Sequence, residues 1–185
     1  MAREPKKEII LGVTASIAIY KSCEIIRRLK QEGLSVTVVM TEEAEGLIRP
    51  IVFSSLSGNR VYRDMFDSPV DYEIEHISLA DKADLVLIAP ATANIIAKIA
   101  GGICDDLLSC VVCATKAPVV IAPAMNENMY QHKITQGNIE KLKDLGYKII
   151  GPVRGRLADG RIGLGHLASV EDISKAVKKG LKMAA

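Results

Sequence analysis

Short runs of consecutive apolar residues alternate along the chain with longer stretches in which apolar positions recur every three or four residues. Ile9–Val13, Ser35–Met40, Asp84–Ala89, Val119–Ala122 and Lys148–Ile150 are compact and rich in Val and Ile, which predicts five strands. Their apolar residues are successive rather than alternate, so both faces are expected to be covered, as in a parallel sheet. Ile17–Gln31 interleaves Ile17, Tyr20, Ile25 and Leu29 with Lys21, Arg27, Arg28 and Lys30 and stops before Gly33. That is the pattern of an amphipathic helix closed by glycine. Ala91–Ala100, Asp105–Ala114, Tyr130–Leu145 and Val170–Met183 are the other predicted helices. The alternation predicts one three-layer α/β domain over residues 1–185, with a mostly parallel sheet and right-handed crossovers. Gly151–Gly165 breaks the pattern, with five glycines among fifteen residues. Too glycine-rich to pack on its own, this stretch is expected to form an irregular flap, at about 151–166, that closes over something.

Composition narrows the function. A chain of 185 residues can bury its own core without staples. Charges nearly balance, 24 Lys and Arg against 22 Asp and Glu, and the seven aromatics include no Trp, which leaves neither an electrostatic footprint nor a stacking platform for nucleic acid. The charged segment Met1–Lys7 runs straight into Ile9–Val13, and the apolar stretch Ala83–Ile103 is broken by Pro90, Asn94, Lys98 and Gly101-Gly102. Neither an export signal nor a membrane span is expected, which predicts a cytoplasmic protein. Cys23, Cys104, Cys110 and Cys113 are expected to be free thiols, those of the Cys110–Cys113 pair buried in a helix. No Cys or His pair has the spacing and partners of a metal site, so no metal is expected.

In open parallel sheets the ligand crevice lies beyond the carboxyl ends of the strands, which directs attention to four junctions. Gly12-Val13-Thr14-Ala15-Ser16 joins the first strand to the first helix with the small and hydroxyl residues that let backbone amides approach a phosphate. It is not GxGxxG. In the second, Met40-Thr41-Glu42, Thr41 takes the position where an NAD fold usually places an acidic residue. Simple helix capping is the competing explanation for both, and the phosphate reading is preferred. The third and fourth, Ala89-Pro90-Ala91-Thr92-Ala93-Asn94 and Ala122-Pro123-Ala124-Met125-Asn126, both open on Ala-Pro and then bring an Asn to the same sheet edge. Two such turns together favour a site over two ordinary caps. On spacing alone His76, His132 and His166 read as structural.

Pro90-Ala91-Thr92-Ala93-Asn94 is similar to the PASANT motif, and Pro123-Ala124-Met125-Asn126-Glu127-Asn128-Met129-Tyr130 to the PxMNxxMW motif, of the homo-oligomeric flavin-containing cysteine decarboxylases. The chain resembles their phosphopantothenoylcysteine decarboxylase flavoprotein domain from Leu11 to Gly165. The resemblance implies a Rossmann-like (flavodoxin-like) fold, FMN as cofactor, and decarboxylation of a cysteine carboxylate, usually that of 4'-phospho-N-pantothenoylcysteine on the way to coenzyme A. Oxidising the thiol to a C=S group gives the electrons left by CO2 a sink, and the product is an enethiolate. The resemblance implies FMN contacts at Gly12, Thr14, Ser16 and Thr41, with Thr92, Ala93 and Asn94 near the flavin ring or a neighbouring subunit. It makes His76 the acid-base group and gives Asn126, with Met125 and Met129, the substrate carboxylate. The flap, including Ala158, Asp159 and Arg161, becomes a substrate clamp. A homo-oligomer is implied, built of trimers (trimers of trimers, or a dodecamer), with FMN between subunits. Three positions depart from the pattern: Asp159 replaces a cysteine linked to reduction of the enethiol, His166 an Arg, and Tyr130 a Trp. A peptidyl-cysteine decarboxylase forming an aminoenethiol is therefore the alternative, followed by an electron-transfer or prenyl-flavin-forming relative. The ligase domain fused to many bacterial members is expected to be absent.

Overall fold

The computed structural model describes residues 6–66, 74–158 and 160–183. Among them, six parallel strands form one sheet: β1 (Glu8–Val13), β2 (Ser35–Met40), β3 (Val61–Tyr62), β4 (Leu85–Ala91), β5 (Val119–Pro123) and β6 (Lys148–Ile149). Their order is β3-β2-β1-β4-β5-β6. Every residue of β1, β4 and β5 is buried, which is why these strands read as unbroken apolar runs. The order in which successive strands are laid down switches sides between β1 and β4, so the crevice at their carboxyl ends is the place to look for a ligand.

Two apolar clusters cover the two faces. One packs Ile25, Ile26 and Leu29 of α1 (Lys21–Gln31) and Ile173 and Val177 of α9 (Val170–Gly180) against the sheet. The other uses Ile95 and Ile96 of α5 (Ala93–Gly101), Leu108 and Val111 of α6 (Leu107–Ala114) and Leu142 of α8 (Lys133–Asp144). Each such side chain, fully buried, contributes about 1.5–3 kcal/mol. Gly33, at φ 84°, ends the α1 segment in the left-handed conformation that its sequence position anticipates.

Several elements differ from expectation. Ile17–Tyr20 is a 3-10 turn capped by Ser16, and the α-helix starts only at Lys21. Tyr130–Leu145 is two helices: α7 (Glu127–Gln131) precedes it, and His132, in extended backbone, caps α8 with its ring nitrogen. Three short helices, α2 (Glu42–Glu45), α3 (Pro50–Ser57) and α4 (Glu75–Lys82), and the edge strand β3 were not anticipated. The glycine-rich stretch is not irregular. It forms an antiparallel hairpin of β7 (Val153–Arg156) and β8 (Ile162–His166). The thiols are also less buried than expected: α6 packs through Leu107, Leu108, Val111 and Val112, leaving Cys113 exposed and Cys110 half-buried, while Cys104 is exposed. Cys104 is pushed up to about 11 by hydrogen bonding with Cys113 and by burial, so it is no activated nucleophile.

Candidate active site

The first strand junction is built for rigidity. Thr14, 2% exposed, donates its hydroxyl hydrogen to the Pro90 carbonyl at 2.8 Å and accepts the Thr92 N–H at 3.1 Å. Its single donor is spent, so it ties the β1 and β4 junctions together rather than donating to a phosphate. Gly12 lies inside β1, where an added Cβ would fall 2.6 Å from Leu108. Its small size admits α6 to the sheet, and it lines neither cleft described below. Ser16 accepts the Ala18 N–H at 3.4 Å and retains its own hydrogen for a ligand. The Ala15 and Ile17 amides donate to no group among the described residues.

Two clefts open on this edge. The larger, about 680 Å³, is lined by Ser16, Lys21, Met125, Asn126, Met129 and Ala158 among others. The smaller, about 180 Å³, brings together Thr14, Thr41, Thr92, Asn94 and Asp106. Ala15, Thr92 and Met129 line both, so the two form one continuous groove. Thr41 begins α2 without capping it, which leaves its hydroxyl to the groove. Thr92 caps α5 by accepting the Ile95 N–H. Ala93 lies on α5 beside the groove without lining either cleft. Burial works to raise the Asp106 carboxyl, but hydrogen bonds from Lys98 and Ser109 outweigh it and hold it below its ordinary value. Lys98 pairs with it at 2.7 Å, but the same ammonium also binds Asp105 at 2.7 Å, so the cluster keeps a net negative charge and this wall does not favour an anion.

Asn126 is the most informative polar group. It caps α7, and its Oδ1 accepts the Asn128 N–H at 2.9 Å. The oxygen is thereby fixed, and the Nδ2 group remains as a pair of neutral donors on the cleft wall. The hairpin is held over this point by three contacts. Met125 N–H donates to the Gly165 carbonyl at 3.0 Å, Leu164 N–H donates to Glu127 Oε1 at 2.9 Å, and Gly163 lets Glu127 approach where a Cβ would lie 2.6 Å from its carboxylate. Arg161 stands in the hairpin turn, its carbonyl accepting the Leu157 N–H, and lines neither cleft. Asp159 lies outside the described residues.

Glu127 was not singled out by sequence, although a carboxylate one residue after the Asn was in plain view. Glu127→Ala is expected to free the Leu164 amide, whose bond to a charged acceptor is worth about 1.5–3 kcal/mol. Hydrogen exchange at Leu164 should accelerate by about tenfold or more; unchanged protection would show that the carboxylate does not anchor the hairpin.

His76 sits in the first turn of α4, half-buried, and lines neither cleft of its own chain. It adjoins Glu75, whose carboxylate is 6% exposed and lies 3.2 Å from Arg60. Ile74 and Ile77, beside it, are exposed by 62% and 43%. An apolar surface thus flanks the histidine.

A parallel α/β sheet whose switch-point groove is lined by hydroxyl groups and free amides defines a protein that binds a nucleotide-like ligand at its carboxyl edge. A family model described as Flavoprotein matches residues 2–182, and the chain belongs to that family. It is 44% identical over 173 residues to the coenzyme A biosynthesis bifunctional protein CoaBC of Bacillus subtilis, covering 94% of this chain and 43% of that protein. The chain therefore spans about two-fifths of the length of such relatives. Among solved structures, a cysteine-to-serine mutant of PPC decarboxylase complexed with pantothenoylaminoethenethiol superposes with a TM-score of 0.83 at 29% identity, covering 96% of this chain and 100% of the other. The FMN-dependent cysteine decarboxylase SpaF gives 0.82 at 30% identity, covering 94% and 97%. No helix among the described residues is long and apolar enough to cross a membrane.

Proposed function

We propose that the chain is an FMN-dependent decarboxylase of a cysteine carboxylate, with 4'-phospho-N-pantothenoylcysteine as substrate and coenzyme A synthesis in the cytoplasm as its setting. The Asn126 amide, oriented as a neutral donor pair in a groove that also holds free backbone amides, carries this reading. The groove fits FMN by its donors: the Ser16 and Thr41 hydroxyls, the Ala15 and Ile17 amides and Asn94 suit an anionic phosphate and a polyhydroxyl chain. When bound, FMN supplies the two-electron acceptor for oxidation of the substrate thiol.

The chain's own residues bind and orient. Asn126 donates to the departing carboxylate without a fixed positive charge, which would stabilise the ground state and raise the barrier. Met125 and Met129 present adaptable apolar surface to the rest of the substrate. The docked hairpin, with Ala158, excludes water from the groove. His76 takes the acid-base role at the substrate thiol. Its position outside its own chain's clefts, among exposed Ile74 and Ile77, supports a homo-oligomer of trimers in which it serves a neighbour's groove. The expected light-scattering mass is a multiple of three chains, and a monomer would contradict this assembly.

Incubating purified protein with 4'-phospho-N-pantothenoylcysteine, while following CO2 and product mass, tests the proposal. The protein should be yellow as isolated and release CO2; colourless protein or no CO2 refutes it. Asp159 in place of the family's cysteine favours a product lighter by two hydrogens, the enethiol, rather than the saturated thiol. The neighbour that holds pantothenoylaminoethenethiol is itself a form lacking one cysteine. The same substitution favours a second reading, a peptidyl-cysteine decarboxylase, which predicts turnover of peptides ending in Cys.

A further inference from the structure

Three of the four cysteines gather beside α6, and none of them lines either cleft. Cys110 and Cys113 stand three positions apart on α6, the spacing that puts two side chains on one face of a helix. Cys104 precedes the helix, yet its segment turns back along it: Cys110 Sγ lies 3.2 Å from the Cys104 carbonyl oxygen. The Cys104 and Cys113 thiols are hydrogen-bonded to each other. Met65 Sδ, 3.5 Å from Cys110 Sγ, adds a fourth sulfur to the cluster. Cys23, by contrast, belongs to α1 and packs against the apolar cluster on the other face of the sheet.

Grouped thiols can hold a metal ion or be oxidised together. Among the described residues no three His, Cys, Asp or Glu side chains are placed to hold a metal ion, which leaves thiol oxidation. Exposure selects the pair, because Cys104 and Cys113 are exposed and Cys110 is half-buried. Burial, followed by the neighbouring Asp106 carboxylate, pushes the Cys110 thiol up, so it is slow to form the reactive thiolate. Within the exposed pair Cys104 keeps its proton, which makes Cys113 the acceptor and the sulfur that meets an oxidant first.

We infer that Cys104 and Cys113 form a dithiol site that a hydroperoxide converts reversibly to a disulfide, stapling the segment before α6 to the last turn of that helix. In the first step the Cys113 sulfur attacks one oxygen of the hydroperoxide, the O–O bond breaks, Cys113 becomes a sulfenic acid and an alcohol leaves. In the second the Cys104 sulfur attacks the Cys113 sulfur, the S–S bond forms as the S–O bond breaks, and the hydroxyl departs with the Cys104 proton as water. The two sulfurs give up two electrons in all, and these reduce the O–O bond. Asp106, two residues after Cys104, caps α6 and lines the smaller cleft, so the staple reaches the wall of the groove.

The test treats the FMN-loaded protein with hydrogen peroxide, blocks the remaining thiols with N-ethylmaleimide and maps the proteolytic peptides by mass. Wild type should give a peptide pair joined through Cys104 and Cys113, two hydrogens lighter than its thiol form, and dithiothreitol should restore both thiols. Cys104→Ser and Cys113→Ser should each lose this cross-link, whereas Cys23→Ser and Cys110→Ser should keep it. In Cys104→Ser, dimedone should trap Cys113 as the sulfenic acid. Amide exchange over residues 102–106 should slow in the oxidised wild type. Thiols left intact, a cross-link through Cys110 or between chains only, or oxidation that dithiothreitol does not reverse overturns the inference. A cross-link that leaves exchange over residues 102–106 unchanged overturns the staple. Each of these readouts is independent of CO2 release, so the dithiol site stands or falls apart from the proposed decarboxylase.

Discussion

Asn126→Asp is expected to abolish decarboxylation while leaving both the fold and the flavin in place. Asp caps a helix as well as Asn does, so the bond from the Asn128 N–H, now 2.9 Å to Oδ1, survives the change. What changes is the other half of the side chain: two neutral N–H donors become a carboxylate oxygen facing the substrate carboxylate. Loss of one preorganised donor typically costs about 10²- to 10³-fold in rate, and like-charge repulsion adds to it. Turnover should fall by about 10³-fold or more, with the visible spectrum and the melting temperature little altered. Asn126→Ala separates the two roles, because it also removes the cap and should lower stability by about 1 kcal/mol. Retention of a tenth of wild-type turnover by Asn126→Asp would remove this amide from the reaction.

Gly165→Ala should disable the enzyme by a different route. A Cβ at this position would collide with the Met125 carbonyl oxygen and crowd the Asn126 carbonyl carbon, at 3.5 Å. Backbone atoms cannot rotate away as a side chain can, so the strand itself must move. Overpacking usually costs about 1–3 kcal/mol, and here the bond from Met125 N–H to the Gly165 carbonyl is lost with it. Relief is available without disturbing either apolar cluster, because the hairpin makes a separate two-stranded sheet. The expected result is local undocking: hydrogen exchange accelerates across Val153–His166 while β1, β4 and β5 keep their protection. Decarboxylation should fall with it, since the hairpin roofs the groove and carries Ala158 and His166 into its lining. Full activity with hairpin protection unchanged would contradict this account. Gly12→Ala makes a useful contrast. The three atoms nearest its Cβ all belong to the Leu108 side chain, which can shift, so the cost should be spread over the packing of α6 and leave the hairpin closed.

The local pattern of the chain determined the five principal strands and most of the long helices. A buried parallel strand needs apolar residues on both faces and a crossover helix needs one apolar stripe, and both requirements are visible within a single segment. The same is true of the two Ala-Pro junctions, whose caps Thr92 and Asn126 are set by their own helices. Segments whose partner lies far away in sequence were not legible. Ile162–His166 forms a strand with Gly163 and Gly165 on its buried side because α7 rests against it. Glycine, which locally signals irregular chain, here marks the close approach of another element.

The roles within the site divide along the same line. Asn126 could be chosen from its motif, but that its oxygen is spent on Asn128 and its amino group is left to the groove follows from the α7 cap. Thr14 reads as a phosphate donor until the fold places the Pro90 carbonyl against it. Lys21 reads as the polar face of a helix, yet His166, 145 positions further on, aims it into the cleft. Sequence by itself determined the class of fold and the two turns that bear the chemistry. Tertiary structure decided which donors remain free, because a hydrogen bond to a distant residue spends a donor that no local pattern can show to be taken.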